Sequence, residues 1–236
     1  MVTLKSQERF RTDKGVFDAH TNKTLFDLQK KGIFDKLDIP LPVGKESNVF
    51  IALKDGKRLI VKIYRMQNCD FNKMFDYIRK DPRYEFMKKH KRQIILAWTQ
   101  REYKNLMRAE KTKIKTPKAI AWKNHIVIEE YIGDENPAPP LKDKYPEDPE
   151  KFFKTTVNQI KKLYKSGLIH GDLSSFNILN FNDEPYFIDY SQATLTRTPN
   201  SMELLERDIG NVCHFFRKLG INANYEETLK KVVGKK

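Results

Sequence analysis

Cysteine is scarce in this chain of 236 residues, which contains only Cys69 and Cys213. Two thiols exclude a disulfide framework and a cysteine-rich metal site, and they favour a reducing, cytoplasmic compartment. Long apolar runs are also missing, because none approaches the ~20 residues that a membrane-spanning helix needs. We therefore expect a cytoplasmic protein with no membrane partner.

The glycine-rich phosphate-binding motifs are absent as well. The chain has neither G-x-G-x-x-G, the glycine loop of ordinary protein kinases, nor G-x-x-x-x-G-K-[ST], the P-loop. It has no Ala-Pro-Glu motif in its last third, so we expect no activation segment with a peptide-docking platform. The five histidines are scattered and form no H-E-x-x-H pair, which argues against a zinc site.

Positive charge is what the chain has in excess. Its 45 basic and 31 acidic residues give a net charge of +14, a balance that favours polyanionic partners such as RNA, DNA or nucleotide phosphates. Residues 83–118 hold twelve basic and three acidic side chains, whereas residues 129–150 hold eight acids and two lysines. A solvated helix face and a polyanion-binding surface fit the basic stretch equally well.

The composition is that of a folded protein. Hydrophobic residues make up 39% and aromatic residues 11%, too many for a disordered chain, and the length suits one large domain or two small lobes. Apolar residues at helical spacing predict a helix within the first forty residues, capped at Thr21 or Asn22 and ended at Gly32. Two prolines then mark the end of an N-terminal helical extension, residues 1–41.

The spacing of apolar residues changes along the rest of the chain. Two short apolar runs flank an Asp-Gly pair and predict a β-hairpin over 48–64. Further strands are predicted over 119–122 and 126–131, and helices over 94–110, 152–166 and 202–219. Residues 65–92 fit neither pattern. We therefore predict a two-lobed α+β fold, with an N-lobe over 42–133 and a helical C-lobe over 134–236.

An Asp, an Asn five residues later and a second Asp after an apolar strand form the strongest chemical signal. Asp172 and Asn177 belong to the run His-Gly-Asp-Leu-Ser-Ser-Phe-Asn, and Asp189 follows Tyr-Phe-Ile. Phosphoryl transfer from ATP needs a carboxylate that orients the attacking hydroxyl, and oxygen ligands that hold Mg²⁺ on the phosphates. The order and spacing of the three residues predict this chemistry.

Two upstream residues and one downstream residue fit the same chemistry. Lys62 alternates with apolar residues in a predicted strand, where an unpaired ammonium group is costly to bury. Glu102, in the middle of a predicted helix, is its natural partner, with a surface carboxylate as the alternative. Asp208, in the last long predicted helix, either hydrogen-bonds the catalytic-loop backbone or is an exposed helix residue.

Residues 42–49, Pro-Val-Gly-Lys-Glu-Ser-Asn-Val, stand where a phosphate-binding loop is expected. Their single glycine permits close approach of the backbone to a phosphate. Lys45, Ser47 and Asn48 have side chains that can contact phosphate oxygens. By itself this is a weak motif.

Taken together, these motifs resemble the RIO family of atypical protein kinases, and its type-one branch in the compact archaeal form. The resemblance covers roughly residues 17–219. It rests on segments 44–50, 60–64, 98–106, 130–133, 170–177, 187–193 and 205–209. The first of these and the Phe-Ile-Asp-x-x-Gln-Ala pattern are specific, whereas His-Gly-Asp also occurs in aminoglycoside and choline kinases.

The resemblance implies a trimmed kinase fold with an added N-terminal helical region, a flexible loop at about 65–92, and Mg–ATP as cofactor, with Mn²⁺ as a substitute cation. Matched by position, Asp172 would be the catalytic aspartate, and Asn177 and Asp189 would hold the metal. The residues implied to bind the nucleotide are Lys62 and its partner Glu102, Glu130 and Ile132 at the hinge, and Lys45, Glu46, Ser47 and Asn48 over the phosphates.

The family also implies a biological setting. Its members are serine/threonine kinases that act in maturation of the small ribosomal subunit, and some work as ATPases through a phosphorylated metal-site aspartate, here Asp189. The implied partners are therefore ATP and the small ribosomal subunit precursor, both rRNA and protein, and we expect no DNA partner.

Three features depart from the family pattern. Pro42 and Val43 stand where Ser-Thr is usual, which removes two hydroxyl donors from the phosphate loop. Glu129 occupies the gatekeeper position, where an apolar residue is usual, and a buried carboxylate there needs a partner. Residues 65–92 contain no Ser or Thr, so we expect no autophosphorylation site in that loop.

Two other functions remain open on the sequence alone. A small kinase of the tRNA-modification complex, or a small-molecule kinase, would share the fold, although the phosphate loop and Gln192-Ala193 argue against both. A catalytically idle RNA-binding scaffold would account for the positive charge. Retention of all the phosphoryl-transfer residues argues against the scaffold.

Overall fold

The computed structural model describes residues 17–41, 46–66, 69–84 and 86–234, and these form two compact units. The first unit takes its described residues from 17–79, 86–103 and 119–131. The second unit takes them from 80–84, 104–118 and 132–234. Residues 80–84 and 104–118, which lie in the middle of the chain, thus belong with the C-terminal part.

The first unit contains both strands and helices, and the second is mostly helical. The helices are α1 (Ala19–Lys30), α2 (Phe71–Arg79), α3 (Lys91–Lys111), α4 (Pro149–Lys165), α5 (Ser201–Lys218) and α6 (Tyr225–Val233), with a 3₁₀ turn at Pro82–Tyr84. The strands are β1 (Lys36–Pro40), β2 (Ser47–Lys54), β3 (Lys57–Tyr64), β4 (Ala119–Lys123), β5 (Ile126–Glu130), β6 (Leu168–Ile169), β7 (Ile178–Phe181), β8 (Glu184–Phe187) and β9 (Thr194–Leu195).

The first unit is built on an antiparallel five-stranded sheet in the order β1-β2-β3-β5-β4. The predicted β2–β3 hairpin is confirmed, and its turn residues Asp55 and Gly56 both have positive φ, of 48° and 74°. That backbone suits the tight hairpin turn for which Asp-Gly is favoured.

The two faces of this sheet differ in chemistry. Leu59, Val61 and Ile63 of β3, with Ile126 and Ile128 of β5, face one apolar cluster. That cluster also contains Leu28 from α1 and Phe34 from the loop after it. Because side chains alternate along a strand, Ile60, Lys62, Tyr64, Val127 and Glu129 share the opposite face. The face that carries Lys62 is therefore the polar one.

Helix α1 begins earlier than the sequence predicted. Its N-cap is Asp18, whose Oδ1 accepts a hydrogen bond from the Thr21 backbone N–H at 2.7 Å, so the expected cap at Thr21 or Asn22 is wrong. Thr21 lies inside the helix and is buried, and its hydroxyl is hydrogen-bonded to the Nε2 atom of His125, 2.9 Å away. Gly32 follows the end of the helix, as predicted.

Residues 65–92 contain a helix that the sequence analysis did not assign. In α2 only Met74 and Ile78 are buried, one turn apart, and the other side chains are partly or fully exposed. The Asp70 carboxylate accepts from the backbone N–H of Lys73 at 2.9 Å, which is an N-cap signal that could have been recognised.

The second unit is a group of helices with two short antiparallel strand pairs, β6–β9 and β7–β8. The predicted helices over 152–166 and 202–219 correspond to α4 and α5, and Asp148 caps α4. Helix α6 was not predicted, because it is nine residues long and buries only Thr228 and Val232. No helix in the described part of the chain is long and apolar enough to cross a membrane.

Candidate catalytic and nucleotide-binding residues

Lys62 of β3 and Glu102 of α3 form the ion pair that the sequence predicted. The distance from Lys62 Nζ to Glu102 Oε1 is 3.0 Å, and the Glu102 side chain is only 1% exposed. The hydroxyl of Tyr64 donates to the other Glu102 oxygen. Glu102 is therefore held by two buried partners, and the alternative of a surface carboxylate is excluded.

Glu129 of β5 is a second carboxylate on the same lysine. Its Oε1 lies 3.0 Å from Lys62 Nζ, and its side chain is 6% exposed. The Glu129 carboxylate, which replaces the usual apolar residue, thus has Lys62 as the partner that a buried carboxylate requires.

Only part of the expected phosphate loop can be described. Pro42, Val43 and Lys45 lie outside the described residues, whereas Ser47 and Asn48 begin β2. The Asn48 side chain is buried and accepts a hydrogen bond from Arg65 Nη2 at 3.1 Å. The backbone N–H of Arg65 donates to the Glu46 carbonyl at 3.1 Å, so both residues are tied to the end of β3.

The expected hinge residues lie at and just beyond the end of β5. Glu130 is the last residue of that strand and pairs with Leu59. In the second unit, the carbonyl of Ile132 accepts from the Ala138 N–H at 2.9 Å. Gly133 has a φ of 146°, and a Cβ there would lie 2.4 Å from the Asn136 carbonyl oxygen, so only glycine fits.

Asp172 and Asn177 are brought together in the second unit. The Asn177 side-chain amide donates to the Asp172 backbone carbonyl at 2.8 Å and to its carboxylate Oδ2 at 3.2 Å. Because the amide nitrogen makes these bonds, the Asn177 oxygen is the end that can ligate a cation. These two bonds close residues 172–177 into a compact loop.

Asp208 of α5 hydrogen-bonds the backbone of that loop. Its two carboxylate oxygens accept from the backbone N–H groups of Gly171 at 2.7 Å and Leu173 at 2.8 Å. Burial raises the pKa of Asp208 to about 7, while the two N–H bonds and Arg207 act in the opposite direction. The expectation that Asp208 bonds the catalytic loop is confirmed, and the exposed-residue alternative is excluded, because Asp208 is 1% exposed.

Gly171 allows this arrangement. It has a φ of 77°, and a Cβ on it would lie 2.8 Å from the Gln192 carbonyl oxygen. The loop before Asp172 therefore passes close to the backbone that follows Asp189, an approach that only glycine permits. This explains a glycine where arginine is commoner in protein kinases.

Asp189 lies two residues after the end of β8 and has a φ of 64°, an uncommon conformation for a non-glycine residue. Its Oδ1 accepts from the Ser191 N–H at 3.2 Å. The preceding residue, Ile188, donates to the Asn177 carbonyl at 3.0 Å, and its own carbonyl lies 3.0 Å from His170 Nε2. The backbone of the Asp189 segment is thus bonded to the same loop that carries Asp172 and Asn177.

Asn105 of α3 is a residue that sequence reasoning missed. It is fully buried, and its amide donates to the carbonyls of Tyr190 at 3.2 Å and Ala193 at 2.7 Å. Its own oxygen accepts from Arg83, which forms an ion pair with buried Asp81. The available signal was an Asn on the apolar side of a helix, one turn after Glu102.

The donor set suits magnesium better than zinc. Within the described residues, no three His, Cys, Asp or Glu side chains gather as a metal site. Asn177 and Asp189 offer an amide oxygen and a carboxylate, and Mg²⁺ typically binds one or two protein oxygens together with phosphates and water. The residues present therefore fit a nucleotide-bound Mg²⁺.

Comparison with known proteins identifies relatives over most of the chain. The profile of the RIO domain matches residues 48–229. A RIO-type serine/threonine-protein kinase Rio1 of Methanocaldococcus jannaschii is 42% identical over 234 residues, which cover 98% of this chain and 80% of that protein. Its counterpart in Thermoplasma acidophilum is 36% identical over 177 residues, 75% of this chain and 94% of the relative.

Solved structures give the same fold. A crystal structure of the Rio2 kinase–ADP/Mg²⁺–phosphoaspartate complex from Chaetomium thermophilum matches with a TM-score of 0.69 and 22% identity, over 90% of this chain and 66% of that one. The architecture is therefore kinase-like, as predicted. With the profile match and the archaeal relatives, it follows that the chain belongs to the RIO family of atypical protein kinases and is a phosphotransferase of the RIO type.

Proposed function

We propose that this protein is a Mg–ATP-dependent serine/threonine kinase that also hydrolyses ATP. The observation that carries the proposal is the hydrogen-bonded pair of Asp172 and Asn177 on a loop that Asp208 anchors and that bonds the Asp189 segment. These are the groups that phosphoryl transfer requires, with the catalytic carboxylate and the cation ligands on adjoining backbone.

In this proposal Asp172 orients the attacking hydroxyl group and accepts its proton. Asn177, through its amide oxygen, and Asp189, through its carboxylate, hold Mg²⁺, which supplies charge neutralisation to the phosphates when it is bound. The Asn177–Asp172 bond fixes the direction of the Asp172 carboxylate. That fixed direction lowers the entropic cost of reaching the reactive geometry.

Lys62 binds the nucleotide phosphates, and Glu102 keeps its ammonium group in place. The backbones of Glu130 and Ile132 contact adenine, and Lys45, Glu46, Ser47 and Asn48 cover the phosphates. Support for these roles comes from family membership and from the buried Lys62–Glu102 pair. Family membership also argues against a small-molecule kinase or a kinase of the tRNA-modification type.

Hydrolysis of ATP would use Asp189 as an acceptor. A carboxylate oxygen of Asp189 attacks the γ-phosphorus, the bond from that phosphorus to the β–γ bridging oxygen breaks, and ADP leaves. Water then attacks the phosphorus of the acyl phosphate, which releases inorganic phosphate and restores the carboxylate. A protein of the same fold was solved as a Rio2–ADP/Mg²⁺–phosphoaspartate complex, which supports this route.

The partner that we propose is the small ribosomal subunit precursor, with its RNA as the contact surface. The net charge of +14 favours a polyanion. In the second unit, six basic side chains between residues 104 and 118 are exposed: Lys104, Arg108, Lys111, Lys113, Lys115 and Lys118. This surface would bind RNA whether or not the protein turns over ATP, so an idle scaffold remains the competing function.

The test is turnover of γ-³²P-labelled ATP with Mg²⁺ or Mn²⁺, with released phosphate and protein-bound label counted separately. Asp172→Ala should lower turnover by ~10²-fold or more with ATP affinity nearly unchanged, because the substitution removes the base and leaves the ligands of Mg²⁺ in place. Asp189→Ala should weaken Mg–ATP binding. Asp143→Ala, which removes an exposed carboxylate of the same unit, is the matched control and should behave as wild type.

The ratio of free to protein-bound label separates ATPase from kinase activity. Label that hydroxylamine removes would identify an acyl phosphate on Asp189, whereas label stable to both acid and base would contradict that step. Lost ATP affinity with unchanged turnover in Asp172→Ala would contradict the role of Asp172. RNA binding by a wild-type protein that binds no ATP would favour the scaffold.

A further inference from the structure

Lys62 has two buried carboxylate partners where phosphoryl transfer needs one. Its ammonium nitrogen lies 3.0 Å from Glu102 Oε1 and 3.0 Å from Glu129 Oε1. The side chains of the three residues are 11%, 1% and 6% exposed, respectively. Both contacts are ion pairs, and both carboxylates compete for the same cation.

The strand register places Glu129 on Lys62. In the β3–β5 ladder Ile60 pairs with Glu129 and Lys62 pairs with Val127, so Lys62 and Glu129 are diagonal neighbours on the same face of the sheet. Glu102 approaches the same ammonium group from α3. The Glu129 contact therefore follows from the sheet itself and does not depend on the position of that helix.

The charges of the three groups do not cancel. One ammonium and two carboxylates carry a formal charge of −1 in a nearly closed environment, where an excess charge interacts strongly with any further charge. A nucleotide phosphate that approaches Lys62 meets this excess negative charge, and it must displace or share the bond to Glu129. An apolar residue at this position would add no negative charge and would not compete with the phosphate for Lys62.

We propose that Glu129 is a second counter-ion of Lys62 that competes with nucleotide phosphates and so sets the nucleotide affinity of this protein. The inference rests on the proposed function, because it assumes that Lys62 binds those phosphates. Glu102 holds Lys62 in position in both states, and Glu129 holds the ammonium group until phosphate takes its place. Glu129 is thus an affinity-determining residue at the nucleotide site.

This role predicts a dependence on the number of phosphates. Removing the Glu129 charge should tighten binding of ATP and ADP, whose phosphates reach Lys62, and leave adenosine binding unchanged. An effect of Glu129 on the base would instead change all three ligands together. The series of adenosine, ADP and ATP therefore separates competition for Lys62 from recognition of adenine.

The experiment is calorimetric titration of the full chain with adenosine, ADP and Mg–ATP. Glu129→Gln keeps the shape of the side chain and removes its charge, and Glu129→Met also removes the acceptor oxygen. We expect both variants to bind Mg–ATP about tenfold more tightly than wild type, which corresponds to about 1.4 kcal/mol. Glu150→Gln removes an exposed carboxylate on α4 and controls for the change in net charge. Thermal unfolding of each variant verifies that it is folded.

Equal or weaker binding of ADP and ATP by both folded Glu129 variants would overturn the inference. So would an equal gain for adenosine, or the same gain in Glu150→Gln. If the folded wild-type chain and the variants all fail to bind nucleotide, the proposed function itself falls, and the inference falls with it. Binding of ATP by wild type without a gain in the variants removes the inference alone.

Discussion

At the scale of single residues, Asp208 anchors the backbone of the loop that carries Asp172. A single carboxylate satisfies two buried backbone N–H groups, those of Gly171 and Leu173, on either side of Asp172. The neighbouring turns of α5 add two more bonds, from Arg207 to the Gly171 carbonyl and from Asn211 to the Leu173 carbonyl. One face of α5 thus sets the backbone of the loop.

We expect Asp208→Ala to destabilise the protein by ~2–4 kcal/mol, because two buried N–H donors lose their acceptor. Turnover should fall with little change in nucleotide affinity, since the loop would no longer hold Asp172 in position. Thermal unfolding and the separate values of kcat and KM measure both effects.

Asp208→Asn tests the mechanism of that loss. It keeps one acceptor oxygen, so stability and kcat should lie between those of wild type and Asp208→Ala. If Asp208→Ala keeps the kcat of wild type while it loses stability, Asp208 does not position the catalytic loop.

Residue-scale prediction from the sequence succeeded where spacing along the chain carries the information. Asp172 and Asn177 are five residues apart, so one short loop can bring them together, and their spacing is visible in the sequence. Asn105 was missed because its partners, the carbonyls of Tyr190 and Ala193, lie more than eighty positions away. Its position on the apolar side of a helix indicates that it is buried, but the local sequence does not identify the remote carbonyls that it bonds.

At the scale of elements, α1 is attached to the sheet by polar contacts at the β4–β5 turn as well as by its apolar face. Thr21 bonds His125, Thr24 accepts a hydrogen bond from the Asn124 side chain at 3.0 Å, and Asp27 pairs with Lys123 at 2.6 Å. The ring of His20 stacks on that of His125, with centroids 5.4 Å apart. Attachment of the helix should therefore depend on the charge of His125.

Burial lowers the pKa of His125 to about 4, with the nearby charges of His20 and Arg92 in the same direction and Asp18 opposed. In an unfolded chain the ring titrates near 6.5, so between these values the folded protein binds fewer protons than the unfolded one. Its contribution to stability is therefore complete above pH 6.5 and is lost as the pH falls toward 4. The loss should be at most about 3 kcal/mol.

The measurement is the free energy of unfolding from pH 7.5 to pH 4 for wild type and His125→Gln. Because other groups titrate in this range, the difference between the two proteins is the relevant quantity. We expect His125→Gln to be less stable at pH 7.5 and to approach wild type as the pH falls. A difference that stays constant with pH would contradict the role of His125.

Whether the sequence predicted an element depended on how much apolar surface the element buries. The hairpin over β2 and β3 and the long helices α3, α4 and α5 bury many side chains, so the spacing of their apolar residues predicted them. Helices α2 and α6 bury two residues each, and their short patterns do not stand out from the surrounding charged residues. The start of α1 was misplaced because Asp18, Thr21 and Asn22 can all cap a helix, and in the structure Asp18 is the cap while Thr21 contacts His125.

At the scale of the whole molecule, the excess of positive charge is the feature that points beyond the catalytic residues. Lys104, Arg108 and Lys111 lie four and three residues apart on α3, so they share one exposed face of that helix. A row of cations at this spacing suits the phosphates of RNA.

We expect the triple charge reversal Lys104→Glu, Arg108→Glu and Lys111→Glu to weaken binding of a small-subunit rRNA fragment at least ~10-fold at 0.15 M salt. The slope of log affinity against log salt should also become shallower by about 2, because fewer counterions are released. Fluorescence anisotropy over a salt series measures both quantities.

The control reverses the charge of three exposed lysines of α4 by substitution with Glu: Lys154, Lys162 and Lys165. It changes the net charge by the same amount and should leave most of the affinity. Equal losses in the two triple variants would show that net charge alone attracts RNA, and that the α3 face is no specific surface.

The family, the kinase-like α+β fold and the main strands and long helices could be predicted from the sequence alone. So could the order of the candidate catalytic residues. These features are carried by local periodicity and by short motifs, which do not depend on distant parts of the chain. Tertiary structure alone decided that Glu129 shares Lys62 with Glu102, that Asp208 bonds the loop around Asp172, and that Asn105 bonds the segment after Asp189. Each of these contacts joins different elements, and their geometry is set by strand register and helix packing, which spacing along the chain does not record.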